Sequence, residues 1–419
     1  MEPSEHLFRQ ESGRIVAALS RIFGLDNLAL AEDVTQDVFC RALEVWKLRG
    51  VPHNPPAWLM KAARNRAIDV LRRERTARNL VPELGRLLNS EWTMVATVND
   101  LFGAETIKDD QLRMMFSCCD RSLSEDAQVA LTLRLQCGFT TAEIAGAFLS
   151  KNASIEKRIE RGKKVLANSK RLFDFGDAEL PARLSAVHRT LYLMFNEGYH
   201  GASREMPVRA ELCNEAMRLA ALLLENARVA TPATHALCAL MYLHAARLPA
   251  RVDANGNLVP LARQDRALWN RTLIARGNEL LDRSASGSEL SEYHVEAAIA
   301  SLHSGAATDD DTDWDRLLWL YDILIRIRPS PVIALNRAIA VAQRDGPESG
   351  IAAIGAIPAS DQLASYPFLP AALGELELRA GRVERARNHF EAAAALARSP
   401  MERRFLELRV EAARGEPQR

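Results

Sequence analysis

Along most of the chain, hydrophobic residues recur every three or four positions, which is the period of an amphipathic α-helix. Residues 5–24 carry such a stripe and stop at Gly24, and residues 28–48 carry a second one. Runs that alternate apolar and polar residues, as half-buried strands do, are almost absent. The pattern predicts an all-α protein.

The third predicted helix, residues 56–78, separates into two faces. Its start is set by Pro55 and Pro56, since proline is tolerated in the first helical turn. The apolar face comprises Leu59, Met60, Ala63, Ala67, Val70 and Leu71. The other face comprises Lys61, Arg64, Asn65, Asp69, Arg72 and Arg75, with Trp58 at the entry. Cations neutralise phosphates, and Asn and Asp hydrogen-bond to base edges, so this face is equipped for nucleic acid. The alternative is a solvated surface helix.

A second candidate for DNA binding lies in residues 140–168. Thr140 and Glu143 have the spacing of a capping box, and the turn 149–151 separates this short helix from the next. The second helix places Ile155, Ile159, Gly162 and Leu166 inward. It places Ser154, Lys157, Arg161 and Lys164 outward, with Arg158 at the edge. The pattern predicts a helix-turn-helix, whereas the alternative is a generic helical hairpin. Eight basic residues between 151 and 171, against two glutamates, favour the former.

Composition narrows the functional classes. The 419 residues are 48% hydrophobic and 26% charged, which is typical of a globular chain of several domains. The formal net charge is zero, so the chain is not a uniformly basic DNA-coating protein, and its cations are bunched locally. The sequence contains neither an apolar run long enough for a membrane span nor a signal peptide. Its six cysteines form no CxxC pair. A cytoplasmic protein with reduced thiols is expected.

Residues after Pro181 stay helical in pattern but lose the basic bunching. Near the C-terminus, residues 329–354 and 366–397 have comparable layouts. The second of these carries tetratricopeptide (TPR) spacing at Leu373, Gly374, Gly381, Ala386, Phe390 and Ala393. A TPR-like solenoid from about residue 331 is therefore expected.

Enzyme chemistry has little support in the sequence. His294 and His303 are nine positions apart, which places them about half a turn out of register on a helix. The acidic string 309–313 resembles a calcium loop, but Trp314 stands where such a loop requires glycine, so a loop and a helix N-cap are expected. The sequence contains neither a glycine-rich phosphate loop nor a GxSxG motif. We expect no catalytic residue, no metal and no cofactor.

Taken together, these parts resemble a bacterial extracytoplasmic-function (ECF) sigma factor with a long C-terminal TPR-like extension. AEDVTQDVFCRALEVW and PAWLMKAARNRAIDVLRRER resemble sigma domain 2, and residues 111–171 look like sigma domain 4. FNEGY, QDRALW, DTDW and RDGP resemble the extension. The implied domains are sigma domain 2 (1–80), a linker (81–110), sigma domain 4 (111–175) and a helical regulatory extension (176–419).

The resemblance also implies roles for individual residues. Core RNA polymerase would be bound by Asp33, Gln36 and Asp37 on the acidic second helix, a face that the sequence alone leaves open between solubility and docking. The minus-ten promoter element would be opened by Trp58, Lys61, Arg64, Asn65, Arg66, Asp69, Arg72 and Arg73. The minus-thirty-five element would be read by Ser154, Lys157, Arg158, Arg161 and Lys164. The RDGP turn, with Asp345, Gly346 and Pro347, would belong to the regulatory extension.

The implied function is promoter-specific transcription initiation. The expected partners are core polymerase, promoter DNA, the extension packed in cis on the sigma domains, and an unknown signalling partner. The rival interpretation is a helix-turn-helix and TPR regulator or scaffold that never binds polymerase. The sequence departs from the family pattern at Leu149 and Ser150 in the turn and at Asp120-Arg121 after the paired cysteines. It also has a single glycine in RDGP.

Overall fold

The computed structural model of the chain describes residues 3–74, 104–148, 150–168, 180–200, 208–254, 256–358, 360–397 and 400–413. These residues form eighteen α-helices and four short 3-10 helices. The one β-bridge among them is isolated and joins Val252 to Leu258. The predicted all-α class is confirmed. No helix within these ranges is long and apolar enough to cross a membrane.

The chain divides into two compact units, which are described separately. The first unit comprises residues 1–194 with 226–229, and the second comprises residues 195–225 with 230–419. The helices of the first unit in chain order are α1 (Pro3–Phe23), α2 (Leu28–Arg49), α3 (Pro55–Glu74), α4 (Ala104–Cys118), α5 (Glu125–Gln136), α6 (Thr141–Ala147), α7 (Asn152–Asn168) and the first part of α8 (Leu180–His200). The predicted linker, 81–110, lies outside the described residues up to position 103, and its last residues form the start of α4.

Helices α1, α2 and α3 pack around one apolar core, as their periodicity predicts. The core contains Ile15, Leu19, Ile22, Phe23, Val34, Val38, Leu59, Ala63, Ala67 and Leu71. Gly24 ends α1 with a φ of 86°, in the left-handed region that favours glycine. Aromatic rings extend the core: Phe8 stacks on Phe39 with 4.6 Å between ring centroids, and Trp46 meets Trp58 edge-on at 5.5 Å.

Helices α4 to α7 form the other half of the first unit. The capping box at the start of α6 is present: Thr140 Oγ1 accepts from the Glu143 backbone N–H at 3.2 Å, and Glu143 Oε2 accepts from the Thr140 backbone N–H at 2.7 Å. Helix α7 lies close to α5, where Gly162 faces Leu131; a Cβ at Gly162 would lie 3.0 Å from that side chain. This close approach packs α7, the second helix of the predicted helix-turn-helix, directly against α5.

The two halves of the first unit meet along α1, and we call this contact the α1 seam. It consists of the α1 residues Arg9, Gly13 and Arg21 together with their partners on and beside α4, α5 and α6. A Cβ at Gly13 would lie 2.0 Å from the carbonyl oxygen of Gln136, so no larger residue fits there. The guanidinium of Arg9 donates to Glu143 at 2.6 Å, and that of Arg21 pairs with the fully buried Asp110. Helix α1 is therefore core to both halves.

The second unit continues from α8 as a series of packed helices. They are α9 (Ala210–Leu224), α10 (Pro232–Ala245), α11 (Arg271–Ser284), α12 (Glu292–Gly305), α13 (Trp314–Ile327), α14 (Pro331–Asp345), α15 (Pro347–Gly355), α16 (Phe368–Arg379), α17 (Val383–Leu396) and α18 (Pro400–Ala413). Short 3-10 turns lie at Leu248–Ala250, Leu261–Arg263, Arg266–Leu268 and Ser360–Leu363.

Two helix pairs near the C-terminus pack through small residues. Gly350 on α15 faces Ala342 on α14, where an added Cβ would lie 2.3 Å from the alanine methyl. Gly374 on α16 faces the Phe390 ring on α17, where an added Cβ would lie 2.7 Å from the ring. The predicted repeat thus corresponds to two packed helical hairpins, while its TPR-like character remains a prediction.

Candidate nucleic-acid interface

The cationic stripe predicted on α3 faces solvent. Lys61, Asn65 and Asp69 are exposed at successive turns of the helix, and Arg64 and Arg66 lie half-buried beside them. The opposite face, with Leu59, Ala63 and Ala67, is fully buried. Helical periodicity alone therefore placed these side chains correctly.

Three other residues assigned to this surface differ from that stripe. Trp58 is half-buried and packs on the core against Trp46, so its ring anchors the start of α3. Arg72 and Arg73 belong to the last turn of α3, and their side chains lie outside the described residues.

The acidic face of α2 lies beside the α3 stripe. Asp33, Gln36 and Asp37 are all exposed, opposite the buried residues of the same helix. Asp37 Oδ2 accepts a hydrogen bond from Arg66 Nη2 at 3.0 Å. The two predicted surfaces therefore adjoin along an exposed ion pair, a kind that contributes little to stability.

The exposure of the α7 side chains follows the predicted inward and outward stripes. Ser154, Lys157, Arg161 and Lys164 are exposed, and the inward residues Ile155, Ile159, Gly162 and Leu166 are buried. Lys164 donates to Glu160 at 2.7 Å, one turn earlier on the exposed face.

Arg158 lies at the edge of this face and contacts the neighbouring helices. Its guanidinium is 3.7 Å from Asp126 on α5 and 6.0 Å from the ring centroid of Phe148. Arg189 on α8 contacts the same two groups, at 3.2 Å and 5.6 Å. Arg158 therefore contacts α5 on one side of α7 and lies beside Arg189 of α8.

One contact between α7 and the acidic helix α2 was not expected from the sequence. Lys163 on α7 donates to both carboxylate oxygens of Glu32 on α2, each at 2.7 Å. Lys163 belongs neither to the inward nor to the outward stripe, so the sequence pattern assigned it no role. The ion pair holds α7 against the edge of the acidic face of α2.

Elsewhere, the titratable groups that suggested chemistry have structural roles. Asp313 caps α13 by accepting from the Arg316 backbone N–H at 2.9 Å, which confirms the predicted N-cap. Within the described ranges no group of three potential ligands is arranged for a metal ion. Burial raises the pKa of the Cys119, Cys213 and Cys238 thiols to about 12, so these thiols stay protonated and unreactive.

The RDGP turn joins three helices of the second unit. Arg344 pairs with Asp345 beside it and with Asp315 on α13, at 2.8 Å and 2.9 Å. Gly346 has a φ of 90°, and Pro347 begins α15. The turn thus requires its glycine, which reverses the chain between α14 and α15.

Comparisons with known proteins assign this architecture to a family. The uncharacterized protein R00370 of Rhizobium meliloti (strain 1021) is 38% identical over 403 residues, covering 96% of this chain and 94% of that protein. The chain belongs to the family of R00370. A model of sigma-70 region 2 matches residues 7–77, and a model of a family of unknown function (DUF6596) matches residues 183–285.

More distant relatives bear on the N-terminal half. The ECF RNA polymerase sigma factor SigK of Mycolicibacterium vanbaalenii is 26% identical over 164 residues, 38% of this chain and 77% of that protein. SigK of Mycobacterium ulcerans is 24% identical over 159 residues, 37% of this chain and 79% of that protein. No solved structure matches the chain. These matches support a sigma-70 family factor, a class of transcription proteins that are not enzymes.

Proposed function

We propose that the protein is an ECF sigma factor that binds core RNA polymerase, opens specific promoters and is controlled by its own C-terminal extension. The observation that carries this proposal is the pairing of an exposed acidic face on α2 with an exposed cationic stripe on α3, within the range matched by sigma-70 region 2. The match to SigK supports the same assignment.

Docking to polymerase is assigned to the acidic face of α2. Asp33, Gln36 and Asp37 are presented on one side of the helix and suit a basic partner surface. Asp37 is also within hydrogen-bond distance of Arg66. A partner that binds the carboxylate would therefore release the guanidinium for phosphate contact.

Promoter opening is assigned to α3. Asn65 and Asp69 offer hydrogen bonds to an unpaired base, while Lys61, Arg64 and Arg66 neutralise backbone phosphates, with Arg72 and Arg73 beyond them. Melting requires no bond chemistry, only tighter binding to the unpaired strand than to duplex. Extruding a base costs a few kcal/mol, which stacking and edge contacts offset.

Reading of the upstream element is assigned to the outward face of α7, with Arg158 at its edge. Elements named minus ten and minus thirty-five are about 25 base pairs apart, or roughly 85 Å along B-DNA. A compact unit of this size is only about 40 Å across. The α1 seam and the Lys163–Glu32 pair must therefore open before both elements are bound at once.

Docking is tested by charge reversal on α2. The double variant Asp33→Lys/Asp37→Lys should weaken binding to purified core polymerase at least tenfold without changing helicity by circular dichroism. The matched control is Glu279→Lys/Asp282→Lys on α11, which makes the same charge change on an exposed helix of the second unit. Wild-type saturation of core polymerase by the α2 variant would refute this docking site. Complete absence of binding by the wild type would favour the regulator that never binds polymerase.

Control by the extension is tested by truncation. A cut after Met194 follows the boundary of the first unit and keeps the contacts of Arg183 and Arg189 to that unit. We expect this truncated chain to remain helical and to lose promoter-directed transcription, because we assign the extension an activating role in cis. Constitutive transcription by the truncated chain would show that the extension is an inhibitor. Transcription equal to that of the full chain would show that the extension does not control activity.

A further inference from the structure

A group of basic side chains converges in the second unit, far along the chain from the proposed DNA-binding helices. We call it the arginine cluster and define it as Arg247, Arg251 and Arg266 with Tyr199, His244 and His303. Tyr199 ends α8, His244 ends α10, His303 lies on α12, and the arginines lie on and beside the 3-10 turns between α10 and α11. Arg247 is only 6% exposed, His303 9% and Tyr199 1%.

Contacts around Tyr199 hold the cluster together. The Arg251 guanidinium lies 4.1 Å from the centroid of the Tyr199 ring, and the Arg247 guanidinium lies 5.7 Å from it. Arg247 Nη2 is 2.5 Å from His244 Nδ1, and Arg251 Nη2 donates to the Tyr199 carbonyl at 3.1 Å. Two guanidinium groups therefore share one aromatic ring.

The third arginine is neutralised, and the other two are not. Arg266 donates to the carbonyls of His303 and Ala306 at 2.7 Å and 2.8 Å, and it lies 3.7 Å from Asp309. Neither Arg247 nor Arg251 forms an ion pair with a carboxylate of the described residues. Within the described residues, the cluster therefore carries about two positive charges that no carboxylate pairs with.

The histidines add donors without adding charge. Burial, reinforced by the adjacent Arg247, lowers the pKa of His303 to about 4 and that of His244 well below its ordinary 6.5. Both rings are neutral near pH 7, and a neutral imidazole still offers one N–H donor. Burial likewise lowers the pKa of Arg247; Tyr199 opposes this shift, and the neighbouring Arg251 and Arg266 add to it.

A purely structural role does not account for this arrangement. Contact with one aromatic ring stabilises a cation by about 0.5–2 kcal/mol, whereas burying an unpaired charge costs several kcal/mol. The Nε atoms of Arg247 and Arg251 and the Nδ1 atom of His303 are buried and make no hydrogen bond within the described residues. Two forked donors and a neutral imidazole in one cluster are a donor set that suits an oxyanion with two charges.

We propose that the arginine cluster binds a small dianion of the phosphate class, either as free phosphate or as the phosphate group of a small ester. Phosphate monoesters carry nearly two negative charges at neutral pH, which equals the unbalanced charge of the cluster. Carboxylates of single charge fit less well. The site lies within one compact unit, and the proposal does not depend on the sigma-factor assignment.

The test uses the full chain and scanning calorimetry at constant ionic strength. Inorganic phosphate, glycerol 3-phosphate, succinate and chloride are titrated separately, because a ligand that binds only the folded state raises the unfolding temperature. We expect a saturable rise of several degrees with phosphate or with the ester, and a much smaller one with succinate or chloride. Preference for the ester over inorganic phosphate would identify the source of the phosphate group.

Variants then locate the site. Arg251→Gln should weaken binding of inorganic phosphate at least tenfold by titration calorimetry, since a charge-assisted hydrogen bond is lost. Because Arg251 is only partly buried, this variant tests the proposal even if Arg247→Gln fails to fold. Arg276→Gln is the matched control, because this exposed arginine pairs with Glu279 outside the cluster, and it should bind as wild type. Equal shifts with all four anions, or full binding by Arg251→Gln, would overturn the proposal.

Discussion

Arginines of the α1 seam and of the arginine cluster have different partners. In the seam, Arg9 and Arg21 each meet a carboxylate from the other half of the first unit, Glu143 and Asp110. In the cluster, Arg247 meets an imidazole and an aromatic ring. A paired guanidinium joins two parts of a fold, whereas an unpaired one retains affinity for an anion.

The comparison separates stability from function. A carboxylate partner offsets most of the cost of removing a guanidinium from water, so the ion pairs of the seam stabilise the compact form of the first unit. In the cluster, no carboxylate of the described residues offsets the cost of removing the guanidinium from water. Proteins retain such a destabilising arrangement mainly where it serves binding or catalysis. Substitutions test this distinction, and the largest difference is expected between a paired and an unpaired arginine of the second unit.

The same substitution should have opposite consequences at a paired and at an unpaired arginine of the second unit. Arg409 forms a bidentate pair with Glu375 at 2.5 Å and 2.6 Å, so Arg409→Met should destabilise the unit by about 2–3 kcal/mol. Arg247→Met should cost less than about 1 kcal/mol or stabilise the unit, because no carboxylate loses its partner. Both values are measured by calorimetry in phosphate-free buffer.

The seam supplies the corresponding control in the first unit. Asp110→Asn should cost about 2–3 kcal/mol, since the Arg21 guanidinium loses its charged acceptor. If Arg247→Met proved as damaging as Asp110→Asn in phosphate-free buffer, the cluster would be structural and the comparison would fail.

Acidification should destabilise the second unit more steeply than the first. Burial lowers the pKa of His188 in the first unit to about 4, and in the second unit it lowers that of His303 to about 4 and that of His244 well below 6.5. Each folded histidine stays neutral while the unfolded one gains a proton below pH 6.5. Stability should therefore fall by about 1.4 kcal/mol per pH unit per histidine between pH 6.5 and about 4.

The measurement is the unfolding temperature of each unit at pH 7.5, 6 and 5. Among the described residues, one histidine with a lowered pKa lies in the first unit and three, His244, His294 and His303, lie in the second, so the second transition should move further. His188→Gln should flatten the pH dependence of the first transition alone. Equal slopes for the two transitions in the wild type would contradict the assigned surroundings of these rings.

The smallest effect is expected at the half-buried pair between Lys163 and Glu32. Lys163→Glu should change stability by less than about 1 kcal/mol, because solvent screens the pair. It should nevertheless expand the first unit detectably by small-angle X-ray scattering, since two carboxylates would then repel each other. The swapped double variant Glu32→Lys/Lys163→Glu should restore the compact form; persistent expansion would show that the pair does not help to close the unit.

Local periodicity predicted much of the first unit. The inward and outward faces of α3 and α7 follow directly from helical spacing, and the capping box at Thr140 follows from two side chains three positions apart. In these elements the neighbours that decide a residue's environment lie within one or two turns. The boundaries of the predicted domains, the helix-turn-helix function and the TPR-like repeat remain predictions.

The seam and the cluster were not predicted, because their partners are distant in the sequence. Arg21 and Asp110 are 89 positions apart, and Arg251 and Tyr199 are 52 apart. FNEGY, which contains Tyr199, and QDRALW, which contains Arg266, were assigned to the extension by resemblance, and no local pattern indicated that these residues meet. One local signal was available for the seam: Gly13 interrupts an otherwise favourable helix, which usually marks a close contact.

The contact at Gly13 limits which segments of this protein can be exchanged with those of a relative by recombination. Recombination between relatives succeeds where segments meet through few specific contacts, and α1 has one face in each half of the first unit. If a chimera receives α1 to α3 from a protein without glycine at this position, the new side chain clashes with the carbonyl oxygen of Gln136. We therefore expect the two halves of the first unit to be inherited together, because α1 packs into both.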